Sequence, residues 1–178
     1  MITGRSRFNL YLLLTLAAAL ASGCQTHKKK DPDKQLATLR IHLEARAEDG
    51  DRTVTVQILK ARPVPVLIEK EPFLTEANVA EAKVVDVMGG YDLQVRLERQ
   101  GTWLLQNYSA TNPGRHFAIF SEFGEENKQA RWLAAPIFTR VNSTGVIQFA
   151  PDVTREEAEE IARRLNNVAK VAKKKSKW

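Results

Sequence analysis

Ala158, Ile161, Ala162, Leu165, Val168 and Ala172 recur at spacings of three and four. That period lays an apolar stripe along one face of a helix. Thr154 and Glu157 stand just before it at capping-box separation: the hydroxyl accepts from the amide three residues on, and the carboxylate reaches back to the Thr amide. Glu156, Glu157, Glu159 and Glu160 crowd the first turns, where carboxylates complement the positive end of the helix, so capping explains them without catalysis. A striped helix needs an apolar partner. Three runs of strand character precede it, at 116–120, 132–141 and 145–149. The stretch 115–169 therefore predicts three strands and a helix laid on their sheet.

The earlier residues supply more of the same. Leu39, Ile41 and Leu43 alternate with Arg40, His42 and Glu44, a strand with one wet face. Asp49-Gly50 turns the chain, and Val54, Val56 and Ile58 alternate behind it, so the two runs predict a hairpin. Val64, Val66 and Ile68 alternate around Pro63 and Pro65, which confines that strand to an edge or leaves it largely unpaired. Thr75 predicts an N-cap for a short helix to about Ala82, with Phe73 or Leu74 packing back on Val79. A brief strand at 84–87, a Gly89-Gly90 turn and the alternation of Leu93, Val95 and Leu97 follow. Residues 101–108 predict a helix burying Trp103, Leu104 and Tyr108, with Leu105 widening that face. Asn112-Pro113-Gly114 ends it. Residues 121–131 are polar and predict a long exposed loop, and Pro136 predicts a bulge or an edge. The sum is an α+β fold: an antiparallel or mixed sheet with helices mainly on one face.

The N-terminus reads differently. Arg5 and Arg7, an apolar run at 10–20, and the small residues Ala21-Ser22-Gly23 precede Cys24, the only cysteine. This layout is that of a secretory signal, and the run is short for a bilayer span. One cysteine allows no internal disulfide. The segment resembles a bacterial lipoprotein signal, with Ala21 where leucine is more usual. The resemblance implies cleavage before Cys24, acylation of that residue, and anchoring in the cell membrane or outer membrane with the body facing the periplasm. More than one acyl chain is what stable anchoring takes. The expected organisation is a signal peptide at 1–23, a lipidated cysteine and basic tether at 24–35, one α+β domain at 36–170, and a basic tail at 171–178.

Charge follows that division. The whole chain carries a formal +6, yet residues 35–169 hold 16 basic and 19 acidic side chains. The basic excess sits in the tether (Lys28, Lys29, Lys30, Lys34) and in the tail, where Lys173, Lys174 and Lys175 are candidates for lipid headgroup contact. Solubilising ends are the plainer reading. A mildly acidic body is no nucleic-acid footprint, so no nucleic-acid partner is expected.

A second resemblance rests on several short blocks in order. Leu74-Thr75 with Val79 and Ala82, Val95-Arg96-Leu97, the 101–111 helix, Gly114 to Ile119, Ala135-Pro136-Ile137, Gly145 to Phe149, and Thr154 to Ala158 together look like the head of the first periplasmic domain of SecD, a membrane component of bacterial protein export. The blocks span 74–169. The departures are a longer 122–131 loop, a reduced glycine content at 142–145, and the lack of SecD's membrane-spanning segments. The resemblance implies a detached head domain that binds protein or peptide at the membrane surface, without a motor.

Chemistry for catalysis is sparse. His27, His42 and His116 are scattered, which speaks against a metal site. No Gly-x-Ser-x-Gly turn and no phosphate loop occurs. No cofactor is expected and an enzyme is not expected, although the acidic residues Glu122, Glu125 and Glu126 define a hydrolase alternative. Arg115, opening a strand after Pro113-Gly114, either pairs with a nearby glutamate or faces a partner. Trp132 either fills the sheet core or, at a loop tip, anchors a partner. Arg115, Trp132, Glu122, Glu125 and Glu126 are thus the candidate contacts for a protein partner: an export translocase, a preprotein or another envelope protein. A structural envelope lipoprotein or adaptor unrelated to export is the competing function.

Overall fold

A computed structural model describes residues 35–59 and 61–175, apart from the side chains of Glu126 and Lys175. The regular elements among the described residues are β1 (Arg40–Leu43), β2 (Thr53–Ile58), β3 (Val64–Glu69), β4 (Leu74–Thr75), β5 (Val79–Val87), β6 (Gly90–Leu97), α1 (Arg99–Thr111), β7 (Phe117–Phe123), β8 (Gln129–Ala134), β9 (Val146–Phe149) and α2 (Arg155–Lys175). The strands pair in the orders β4-β1-β7-β8, β2-β3 and β5-β6-β9, and every pairing is antiparallel. The α+β expectation holds. The signal, Cys24 and most of the tether lie outside the described residues.

The capping box forms as its spacing requires: the Glu157 amide donates to Thr154 Oγ1 at 3.3 Å, and the Thr154 amide donates to Glu157 Oε2 at 2.9 Å. Ala158, Ile161, Ala162, Leu165 and Ala169 are buried along α2. Ala169 continues the stripe in place of the half-buried Val168 because it lies about 20° from Ala158 around the helix, against about 80° for Val168. The partner differs from the expected one. The three strands before α2 do not form one sheet, since β7 and β8 belong to one group and β9 to another. The helix lies chiefly on β5. There Asn166 donates from Nδ2 to the Ala82 carbonyl and accepts the Ala82 amide at Oδ1, both at 2.8 Å. One side-chain amide thus completes the hydrogen bonding of β5 at its outer edge.

The hairpin expected from β1 and β2 does not form. Both edges of β1 are taken, by β4 and β7, so β2 pairs with β3 instead. Ile41 and Leu43 enter the main core. His42, expected on a wet face, is only 8% exposed. The β2–β3 pair covers that face, packing Ile58 and Ile68 on Ala118 with Val56, Val66 and Trp132 beside them. His42 Nδ1 lies 2.9 Å from the Glu69 carbonyl, and its ring meets Trp132 edge-on at 5.5 Å. Burial holds its imidazole pKa below the ordinary value, against the opposing effect of the Glu69 bond.

Four further expectations change. Residues 75–82 are not a helix: Glu76–Asn78 make one 3-10 turn, and β5 begins at Val79. Asn78 explains the early stop, because its Oδ1 accepts from the Thr75 amide at 3.0 Å and closes the turn. Helix α1 buries Gly101, Leu105 and Ser109, four residues apart, while Trp103 is 62% exposed. The helix approaches by its small residues: a Cβ on Gly101 would stand 2.9 Å from Asn78 Cβ. The expected loop at 121–131 is mostly paired. Strand β7 runs on to Phe123 and β8 starts at Gln129, leaving a short turn between them. Ser121 and Phe123 are fully buried within this polar-looking stretch. The second strand in turn ends at Ala134, and Pro136 lies in an irregular segment beyond it.

Candidate binding cleft

Two clefts open side by side along residues 134–150. The first, about 620 Å³, lies between the 136–144 segment and β9 and reaches Leu105 and Phe117. The second, about 610 Å³, lies between the end of the β2–β3 pair and the segments 134–136 and 148–150. Pro136 and Gln148 line both.

The 136–142 segment is pinned at its ends. Phe117 N–H donates to the Pro136 carbonyl at 2.9 Å, Phe138 N–H to Arg115 at 2.9 Å, and Gly114 N–H to Phe138 at 2.8 Å. Asn142 N–H donates to Ser109 Oγ at 2.9 Å, which accounts for a buried serine on α1. Between these points Thr139, Arg140 and Val141 make no hydrogen bond among the described residues. Across the cleft, β9 is an outer strand. Its register on β6 pairs Ile147 with Val95, and Leu97 N–H donates to Gly145 O at 2.8 Å. Antiparallel alternation then directs the backbone groups of Val146 and Gln148 away from β6. Asn142 Nδ2 takes the Val146 carbonyl at 2.8 Å. The Gln148 backbone faces the cleft, and its side chain is held by Asp92 at 2.9 Å and Gln94 at 3.0 Å.

Gly145 fixes where β9 begins. Its φ is +69°, and a Cβ there would lie 2.1 Å from Thr102 Oγ1. Only glycine fits both the backbone and the space. The clefts carry apolar side chains that the core leaves uncovered: Ile137 and Val141 on the first, Leu59 and Val64 on the second, with Val141 52% exposed. Leu59 also has a left-handed backbone (φ +69°), a conformation that leucine adopts at a cost of about 1 kcal/mol or more.

Glu44 forms a polar wall of the second cleft. Its Oε2 accepts from the His116 amide at 2.7 Å and lies 3.0 Å from His116 Nδ1. Partial burial raises the carboxyl pKa, but the bonds from the His116 amide and ring outweigh it and leave the pKa below the ordinary value. Arg115 donates from Nη1 to Asn112 Oδ1 at 2.9 Å and from Nη2 to the Glu44 carbonyl. It therefore ties the end of α1 to the end of β1 through a side-chain amide and a carbonyl, rather than through a glutamate carboxylate.

The residues predicted from sequence are not gathered in one place. Arg115 precedes β7 and Glu122 lies near its far end, about 20 Å away at strand rise. Glu122 is half-buried and its amide is held by Thr38 Oγ1 at 3.0 Å. Glu125 is exposed in the β7–β8 turn, which also contains Glu126. Trp132 sits within β8, half-buried between His42 and Phe120, not at a loop tip. Lys173 and Lys174 are exposed near the end of α2, and Lys175 is its last residue. Among the described residues no group of three or more His, Cys, Asp or Glu side chains is placed to hold a metal. The cleft residues Ile137, Val141, Leu59 and Gln148 escaped sequence reasoning. Pro136, expected at a bulge or edge, was the one signal pointing to them.

No protein-family model matches the chain. No curated protein matches it either. Solved structures do. A structure of SecDF, described as a membrane component that enhances protein export, aligns with TM-score 0.52 at 20% identity, covering 75% of this chain and 63% of that one. SecDF in its super-membrane-facing form aligns with TM-score 0.51 at 19% identity, covering 75% of this chain and 19% of that one. This chain thus spans less than two thirds of either. In fold, this chain is a SecD-like domain.

Proposed function

We propose that this protein is a lipid-anchored, noncatalytic binding protein of the bacterial envelope that takes up extended polypeptide during protein export. The observation that carries the reading is the open backbone of Thr139–Val141 facing the outward edge of β9 at Gln148. An extended segment laid between them gains main-chain bonds from one or both sides, and Ile137 and Val141 offer it apolar contact. The fold shared with SecDF, described as enhancing protein export, supports the choice of polypeptide as ligand. In this reading Cys24 carries the acyl anchor and the body faces the periplasm. Among the described residues no helix is long and apolar enough to cross a membrane.

The test places a photocrosslinking side chain at Val141 in cells producing the full chain at native level, with Trp103 on the exposed face of α1 as control. Adducts to preproteins or translocase subunits from position 141, absent from position 103, support the reading. Stable adducts only to other envelope proteins would replace it with an adaptor function. A parallel Cys24→Ser form tests the anchor: it should leave the membrane fraction and lose those adducts.

A further inference from the structure

Helix α2 carries two buried polar side chains that its stripe does not predict: Arg164 is 3% exposed and Asn167 is 2% exposed. Both hold the start of the described chain. Asn167 Nδ2 donates to the Gln35 carbonyl at 3.0 Å and Arg164 Nη1 to the Leu36 carbonyl at 3.3 Å. Arg163 Nη2 adds a contact to Gln35 Oε1 at 3.4 Å. Followed from Leu36 back to Gln35, the backbone moves along α2 toward its C-terminal end. Positions 163, 167, 170 and 174 lie within about 60° of one another around a helix. Lys170 and Lys174 therefore continue the line that latches Gln35, and Lys173 flanks it.

These three lysines are exposed and make no ion pair among the described residues. Glu81, a carboxylate that feels Lys173, is already engaged by Arg96 at 2.8 Å. The other basic groups beside them are occupied: Arg164 is bound to Glu160 at 2.6 Å and Arg163 to Gln35. Val171, next to Lys170 in the chain, and Leu36, next to the latched Gln35, are exposed apolar side chains. Lysines interspersed with uncovered apolar residues suit the boundary between headgroups and acyl chains. The negative end of the helix dipole also favours lysines here, but it does not account for Val171 and Leu36. The opposite end of α2 is different: Arg155 is paired with Asp86 at 2.6 Å and with Glu159 at 3.1 Å. The fully exposed Met88 closes the β5–β6 turn, which follows Asp86.

We infer that the end of the body formed by Lys170, Lys173, Lys174, Val171 and Leu36 rests on an anionic lipid surface, with the Gln35–α2 latch setting that orientation. The inference does not depend on the peptide-binding reading of the cleft. It is tested on the full chain reconstituted into vesicles of phosphatidylcholine alone or mixed with phosphatidylglycerol, by amide hydrogen exchange. On the mixed vesicles the last two turns of α2 should exchange at least about fivefold more slowly, the effect of a single lysine near an anionic surface. The β5–β6 turn should not change. The slowing should fade with added salt, vanish in Lys170→Glu/Lys173→Glu/Lys174→Glu, and survive in the corresponding triple arginine variant. Equal exchange on both vesicle types overturns the inference, as does slowing that persists in high salt or appears at the β5–β6 turn instead. The salt series uses the unaltered chain, so it decides the matter even if the glutamate variant folds poorly.

Discussion

Two outer strands of the same three-stranded group meet opposite fates. Strand β5 is closed: α2 lies on it, and Asn166 satisfies both backbone groups of Ala82. Strand β9 is open at Gln148 and looks across a cleft at the unpaired backbone of Thr139–Val141. A fold that can seal one edge with a single side-chain amide leaves the other available. Exposed edges invite pairing with other chains and are ordinarily blocked. The contrast is between an edge that α2 and Asn166 close and an edge that stays open, and the proposed peptide binding uses the open one.

The sharpest way to break the closed side is to empty it. Leu165→Ala removes a fully buried side chain from the main core and should cost about 2–5 kcal/mol in urea unfolding. Next comes the amide clamp. Asn166→Ala leaves the Ala82 amide and carbonyl without partners, so a loss of about 1–3 kcal/mol is expected. It also weakens the seal of a second edge, so sedimentation should show more concentration-dependent association than for the unaltered chain. Gly145→Ala tests the frame of the open side. Its Cβ would overlap Thr102, and overpacking of this kind costs about 1–3 kcal/mol, with weakened peptide crosslinking at the cleft. The smallest effect on stability belongs to Val141→Asp. It should change unfolding by less than about 0.5 kcal/mol, as surface substitutions do, while abolishing adducts to apolar polypeptide from a photocrosslinking side chain placed instead at Ile137 in the same cleft. If Val141→Asp instead destabilised the body as strongly as Leu165→Ala, the cleft would be part of the core and the contrast would collapse.

Acid probes a third region by linkage. His42 is held below its ordinary pKa of 6.5 by burial, so the unfolded chain binds its proton first as pH falls. Its contribution is present in full above about 6.5 and is lost as pH falls through the lower folded value. Glu44 has the same sign, with loss beginning near its ordinary value of 4.5. Unfolding measured from pH 8 to 3 should therefore show declining stability, and His42→Gln should flatten the decline that begins near 6.5 while leaving the further decline that begins near 4.5 in place.

The sequence foretold what is local. The Thr154–Glu157 box, the Asn112-Pro113-Gly114 stop and the alternation of Leu93, Val95 and Leu97 each depend on neighbours a few residues away, and each is in place. What failed depends on distant pairing. His42 looks solvent-facing until β2 and β3 fold over it. Residues 121–131 look like a loop because nothing local says that Ser121 Oγ donates to the Thr38 carbonyl at 2.8 Å. Thr75 announces a helix, and Asn78 closes it after one turn. The candidate site was the least legible part. Arg115 was singled out, but its guanidinium is spent on Asn112 and Glu44. The open edge at Gln148 is defined by strands that never arrive, and a sequence cannot display a missing neighbour. The SecD-like blocks gave the fold correctly and left that edge unmarked.

Strand β1 has a temporal consequence. It emerges first, yet it is an inner strand whose partners come from β4 and from β7. Ser121 reaches Thr38 across 83 residues, and Asn166 reaches Ala82 across 84. Contacts of such sequence separation form slowly because loop closure must precede them. A chain threaded across a membrane from its N-terminus cannot settle β1 before β7 has crossed, nor seal β5 before most of α2 has followed. For a chain exported as proposed, the topology itself would delay assembly of the body until most of its residues had crossed.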